Sequence, residues 1–297
     1  MDLSGAIPPM ITPKTNKRSE VDSGTLSSFT EFLVEGGIHA LFPCGSIGEF
    51  SSLGRIQRTA VVETVVENAD GTPVLTGCGG TSVPAVMESI ADAEAAGADA
   101  AVIVTPYYLN ADGDGLAAFY ESVANKASIP ILLYDIPSLT DNKLTVETVA
   151  RLAAHPDIIG IKDSTGDIIH HQRLIEATPD SFNVFQGMAE FAVPALDIGA
   201  DGFVAGPANV YPNAAATAYD AYRSGDRSGA VELWQDVLNP VVAATRPSAT
   251  AAGLKYLLKK HGRDVGEPFL PLTEPSDAQR ETLARCYDRM SERQNKI

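Results

Sequence analysis

Short apolar runs and amphipathic stretches alternate along most of this chain. Eight runs read as strands: residues 6–11, 40–43, 74–77, 100–105, 129–135, 158–163, 183–186 and 202–205. They have the length of strands, are rich in β-branched residues, and are bounded by glycine, proline or polar turns. Their apolar character is close to continuous, as in parallel strands covered on both faces. Between them, residues 24–35, 55–68, 83–96, 115–126, 146–154 and 189–198 carry apolar positions at helical spacing. Several of these stretches stop at glycine: Gly36-Gly37, Gly71, Gly97 and Gly199. Strand–helix alternation with short connections predicts a parallel sheet, and eight units predict its closure into a (β/α)8 barrel, an α/β fold. A doubly wound open sheet is the competing arrangement. It is weakened because no GxGxxG follows an early strand, Gly77-Cys78-Gly79-Gly80 being a poor substitute. Beyond Pro212 the pattern turns to helices alone, over 214–224, 230–238, 249–261 and 277–294. The expected organisation is a barrel over residues 1–212 and a helical extension over 213–297 packed on it as one structural unit.

Composition narrows the function. Thirty-eight acidic residues against 22 basic ones give a net charge of −16. That disfavours nucleic acid and anionic membranes as partners. The acid is spread along the chain, as at Glu88, Asp92, Glu94, Asp99 and Asp112, in the manner of a solvated, salt-adapted surface. No apolar run approaches the roughly 20 residues of a membrane span, and the N-terminal residues do not read as a signal peptide. Cys44, Cys78 and Cys286 lie far apart, as expected of thiols in a reducing compartment. These features predict a cytoplasmic protein. No histidine or cysteine string has the spacing of metal ligands, so no metal is expected.

Chemistry concentrates at the strand ends, where the active sites of such barrels lie. The run Ile158-Ile159-Gly160-Ile161 delivers Lys162 to the end of a buried strand. Lysine is rarely buried there. Its commoner role is to snorkel with its ammonium in water; the chemical alternative is an amine that forms a Schiff base with a carbonyl substrate. One strand earlier, Tyr134 ends 129–135, so the phenol and the amine should face one mouth from adjacent strands. A phenol placed there can carry the proton that carbinolamine formation and C–C cleavage require. Gly45-Ser46-Ile47-Gly48-Glu49 follows the second strand, a turn whose backbone N–H groups can hold a carboxylate. Thr105-Pro106-Tyr107-Tyr108 follows the fourth.

These strings, with Tyr134-Asp135-Ile136-Pro137-Ser138, Gly160-Ile161-Lys162-Asp163-Ser164, Gly187, Gly199-Ala200-Asp201-Gly202 and Gly206-Pro207-Ala208-Asn209, resemble the dihydrodipicolinate synthase / N-acetylneuraminate lyase family. The resemblance runs from about Ala6 to Lys255. It implies a class I aldolase or lyase acting on 2-oxo acids through a Schiff base, with no metal or organic cofactor. It implies Lys162 as the Schiff-base lysine, Tyr134 as proton shuttle and Ser46 as the hydroxyl relay. Tyr108 would be the tyrosine that enters a neighbouring subunit's site in a homotetramer. It places Gly45, Ile47, Ser164, Gly187 and Val204 around a small 2-oxo acid.

Two departures bear on the substrate. The family's second hydroxyl residue in the glycine-rich turn is Ile47 here, a lost side-chain donor of about 1 kcal/mol. The arginine that grips the second substrate's carboxylate in dihydrodipicolinate synthase is Leu139, and a buried carboxylate without its bidentate partner binds poorly. The favoured branch therefore resembles 2-keto-3-deoxygluconate aldolase, with Arg246 in the rough position of a phosphate contact for the 6-phosphate; an exposed arginine is more often only a surface charge. A dehydratase, a sialic-acid-type lyase and a catalytically silent 2-oxo acid binding protein are the alternatives.

Overall fold

Side-chain parity along the strands sets the architecture of the computed structural model, which describes residues 3–15 and 20–294, with side chains through Met290. Seven parallel strands, β1 (Gly5–Ile7), β2 (Leu75–Gly77), β3 (Ala100–Val104), β4 (Ile131–Asp135), β5 (Ile158–Asp163), β6 (Asn183–Gln186) and β7 (Gly202–Val204), pair in the order β1-β7-β6-β5-β4-β3-β2. Val102, Val104, Leu132, Tyr134, Phe185 and Val204 point inward and meet Ile7, Ala40, Phe42 and Leu75 in an inner cluster. Their chain neighbours Ala101, Ile103, Ile131, Leu133, Ile161 and Val184 face outward and pack with the surrounding helices. A two-residue period, with both phases buried, makes these strands read as apolar throughout.

The expected second strand, 40–43, is a pair of isolated bridges instead of a ladder. Leu41 bridges Val74 and Phe42 bridges Pro9, with Leu41 N–H donating to Pro73 O at 2.8 Å and Phe42 N–H to Pro8 O at 3.2 Å. The segment thus closes the ring between β1 and β2 as an eighth stave. Its ladder is broken by Pro8, Pro9, Pro43 and Pro73, none of which carries an N–H. The same prolines stop β1 at Ile7, short of the expected Ile11. The TIM-barrel class stands.

Three α-helices lie outside the expected stretches: Pro137–Thr140, Ile168–Ala177 and Asn239–Thr245. Ile168–Ala177 lies between β5 and β6, capped by Asp167, whose side chain accepts from the amides of Ile169 and His170. Downstream, helix Pro212–Arg223 packs on β1, and helix Thr250–Lys260 packs on the short turn Gly206–Asn209 at the barrel mouth. Among the described residues no helix is long and apolar enough to cross a membrane.

Candidate active site

Tyr134 and Lys162 are register partners across β4 and β5, so the pairing alone turns both side chains to the same face. Lys162 is 4% exposed. Its Nζ lies 3.9 Å from the ring centroid of Tyr134 and 4.9 Å from that of Phe42. The Tyr134 hydroxyl is 3.5 Å from Ser46 Oγ. That is long for a hydrogen bond, and a bound substrate would tighten it. The three side chains share the wall of a cavity of about 390 Å³ with Ile47, Ser164, Gly187 and Val204. No backbone acceptor pairs with the amides of Ser46 or Ile47 among the described residues, which leaves two donors at the turn for a carboxylate.

Gly187 shows how tightly the floor is built. A Cβ there would fall 1.9 Å from Ser164 Oγ and 3.1 Å from Lys162 Cε, so any side chain would displace the lysine or the serine. Ser164 Oγ is itself buried without a partner. On the opposite wall Ile47 presses on Gly206, its Cδ1 3.1 Å from where a Cβ would stand. Leu139, more than half exposed, and Arg246 line the outer part. Arg246 is not free, being ion-paired with Glu190.

Two expected residues fall outside the cavity lining. A Cβ on Gly45 would stand 3.1 Å from the ring of Phe42. Tyr108 is 90% exposed and holds φ at +82°, a left-handed conformation that a tyrosine adopts at a cost. Within one protomer it contributes nothing to the cavity.

The sequence reading missed two buried polar groups. Glu49, in the same glycine-rich turn as Ser46, forms an ion pair of 2.7 Å with Lys255, and both side chains are almost completely buried. Glu49 also accepts from Phe269 N–H at 2.7 Å, and Lys255 donates to Glu267 O at 3.0 Å. Burial pulls the Lys255 ammonium below its ordinary pKa, and Glu49 opposes that. This pair ties the turn that holds Ser46 to the helix Thr250–Lys260. A lysine set in the apolar run Gly253-Leu254-Lys255-Tyr256-Leu257-Leu258 was its only sequence signal.

The second group lies behind the reacting strands. Asp135 and Asp163 are also register partners, one position beyond Tyr134 and Lys162, so they face outward toward His170 and His171. Asp163 accepts from His171 Nδ1 at 2.9 Å and from Thr165 N–H at 2.9 Å. Burial pushes its pKa up, but these hydrogen bonds hold it below the usual carboxylate range. Burial, and then the charge of Asp163, push the Asp135 carboxyl up to about 7.

The model of the dihydrodipicolinate synthetase family matches residues 2–289. The chain belongs to that family. It is 34% identical, over 95% of both chains, to a 4-hydroxy-tetrahydrodipicolinate synthase of Methanopyrus kandleri. It is 35% identical to an uncharacterised DapA-like lyase of Halobacterium salinarum, over 95% of this chain and 92% of that one. Among solved structures, dihydrodipicolinate synthase from Aquifex aeolicus superimposes with a TM-score of 0.91 at 30% identity, covering 97% of this chain and 98% of the other. The prophage protein YagE from E. coli K12, in complex with pyruvate, superimposes with a TM-score of 0.90 at 28% identity, covering 97% and 98%. As a member of the dihydrodipicolinate synthetase family, the chain is a pyruvate-dependent lyase of class I type. It works through a lysine Schiff base on a small 2-oxo acid, without a separate cofactor.

Proposed function

We propose that this enzyme cleaves 2-keto-3-deoxygluconate, its 6-phosphate, or both, to pyruvate and glyceraldehyde or its 3-phosphate. The observation that carries the reading is the outer wall. Where a synthase condensing pyruvate with a second carboxylated substrate needs a guanidinium, the cavity has Leu139, and its one arginine is engaged by Glu190. A polyol or sugar phosphate makes no such demand. Its hydroxyls can meet Thr250 and Glu190 at the rim, and a phosphate would recruit Arg246 from its pair.

In this reading Lys162 attacks C2 of the keto acid, and the carbinolamine loses water to give an iminium. Tyr134 takes the proton of the C4 hydroxyl as the C3–C4 bond breaks, and the electron pair of that bond passes into the enamine. The aldehyde leaves, the enamine is protonated at C3, and water hydrolyses the iminium to release pyruvate. Ser46 hands protons to Tyr134. The amides of Ser46 and Ile47 receive the carboxylate, with Gly45 letting the turn approach. Ser164, Gly187 and Val204 shape the seat of the three-carbon unit. The exposed, left-handed Tyr108 supports assembly as a homotetramer, in which a tyrosine from one protomer completes its neighbour's site. The free, largely buried cysteines fit a cytoplasmic setting.

Incubation with each keto acid, followed by separate assays for pyruvate and aldehyde, tests the substrate. Both products in equal amount are expected. A keto acid consumed without aldehyde would make the enzyme a dehydratase, and no consumption alongside condensation of pyruvate with aspartate semialdehyde would overturn the reading. Tyr134→Phe keeps the ring over the amine and removes the hydroxyl. It should lower kcat about 10²-fold while pyruvate still adds to Lys162. A kcat within about threefold of the parent would remove Tyr134 from the proton path.

A further inference from the structure

Asp135, Asp163 and His170 lie outside the substrate cavity and take no part in the chemistry above. Each offers a ligand atom within 4.8 Å of the other two, and all three residues are buried. Two atoms in the cluster lack any partner: Asp135 Oδ1 and His170 Nε2. A buried carboxylate oxygen and a buried ring nitrogen left unsatisfied together are costly, since each forgoes its water without a replacement. Asp163 is already bonded to His171 and Thr165, but a carboxylate has about four acceptor sites, so it can take one more ligand.

From this geometry we infer that Asp135, Asp163 and His170 form a binding site for a divalent transition metal ion of the zinc type. Two carboxylate oxygens and one imidazole nitrogen suit zinc, cobalt or manganese; calcium and magnesium favour sets of oxygen alone. Each ligand atom would stand about 2.0–2.2 Å from the ion. A dication also relieves the repulsion between two buried carboxylates, which a neutral histidine does not. His171 is on Asp163, Lys143 pairs with Asp167 at 3.9 Å, and Tyr120 on the neighbouring helix donates to Ile103 O. Asp167 and Glu147 also act on His170 and favour a cation, while Lys143 opposes one from the edge of the cluster.

The site would join β4, β5 and the helix Ile168–Ala177 through residues adjacent in sequence to Tyr134 and Lys162. The ion would therefore act as a staple behind the reacting pair and take no part in the reaction. This inference is independent of which keto acid is cleaved.

The test uses the whole chain, stripped with a chelator and then either incubated with Zn²⁺ or refolded in its presence, because a buried site can load slowly. Expected are about one zinc per chain after gel filtration and a rise in Tm of about 5 °C at saturating ion. Cobalt in its place should give visible ligand-field bands. Asp135→Asn and His170→Gln should each lose the bound ion and the Tm rise while keeping the parent's far-ultraviolet circular dichroism; His155→Gln, at a half-buried histidine outside the cluster, should lose neither. No stoichiometric zinc by either route, or zinc retained by both cluster variants, overturns the site.

Discussion

Lys162→Ala should abolish turnover, lowering kcat by at least about 10⁴-fold, while the barrel remains folded. The size follows from covalent chemistry: without the amine there is no iminium, and the carbanion formed on C–C cleavage has no electron sink. The fold should survive because Lys162 makes no ion pair or side-chain hydrogen bond among the described residues and packs on the rings of Phe42 and Tyr134. Borohydride reduction in the presence of pyruvate, read by peptide mass spectrometry, should place a pyruvyl adduct on Lys162 in the parent and nowhere in the variant. An adduct on another lysine, or appreciable activity in Lys162→Ala, would refute the assignment. A folded parent with no adduct at all would instead favour a silent binding protein, and Ile47 would then be the first residue to revert to a hydroxyl.

Lys255→Met should cost about 3–5 kcal/mol of stability, the second large effect. The methionine replaces the lysine stem in volume but leaves Glu49 as a buried charge held only by the amide of Phe269. Removing one partner of a buried pair is far more damaging than replacing both. The double variant Glu49→Gln with Lys255→Met should therefore recover much of the loss. Chemical denaturation measures all three proteins, and a single-variant loss below about 1 kcal/mol would show that the pair behaves as if solvated. Because Glu49 shares its turn with Ser46, Lys255→Met should also raise KM for the keto acid.

How far the sequence reveals this molecule depends on the range of the interactions involved. The barrel was legible because each strand–helix unit declares itself locally, through an apolar run, an amphipathic stretch and a stopping glycine. Residues 40–43 were legible as a stave but not as a bridge, because their hydrogen bonding is set by prolines on two other segments. Lys162 and Tyr134 stood out as polar residues ending apolar runs at comparable positions. Asp135 and Asp163 end the same runs, yet their meeting depends on strand register and on the helix Ile168–Ala177 that brings His170. Glu49 finds Phe269 across 220 positions of sequence, and no local pattern encodes such a contact. Tyr108 was legible from resemblance alone. Its exposure and backbone conformation fit the proposed role, but one protomer supplies no contact for it.

The two aromatic faces around Lys162 bear on the whole reaction coordinate. A protonated amine and a protonated imine each carry one positive charge, at nearly the same place. The quadrupoles of Phe42 and Tyr134 attract both. The amine gives up its charge to attack C2, and when the charge returns in the iminium that draws electrons from the breaking bond, it forms in a pocket already shaped for it.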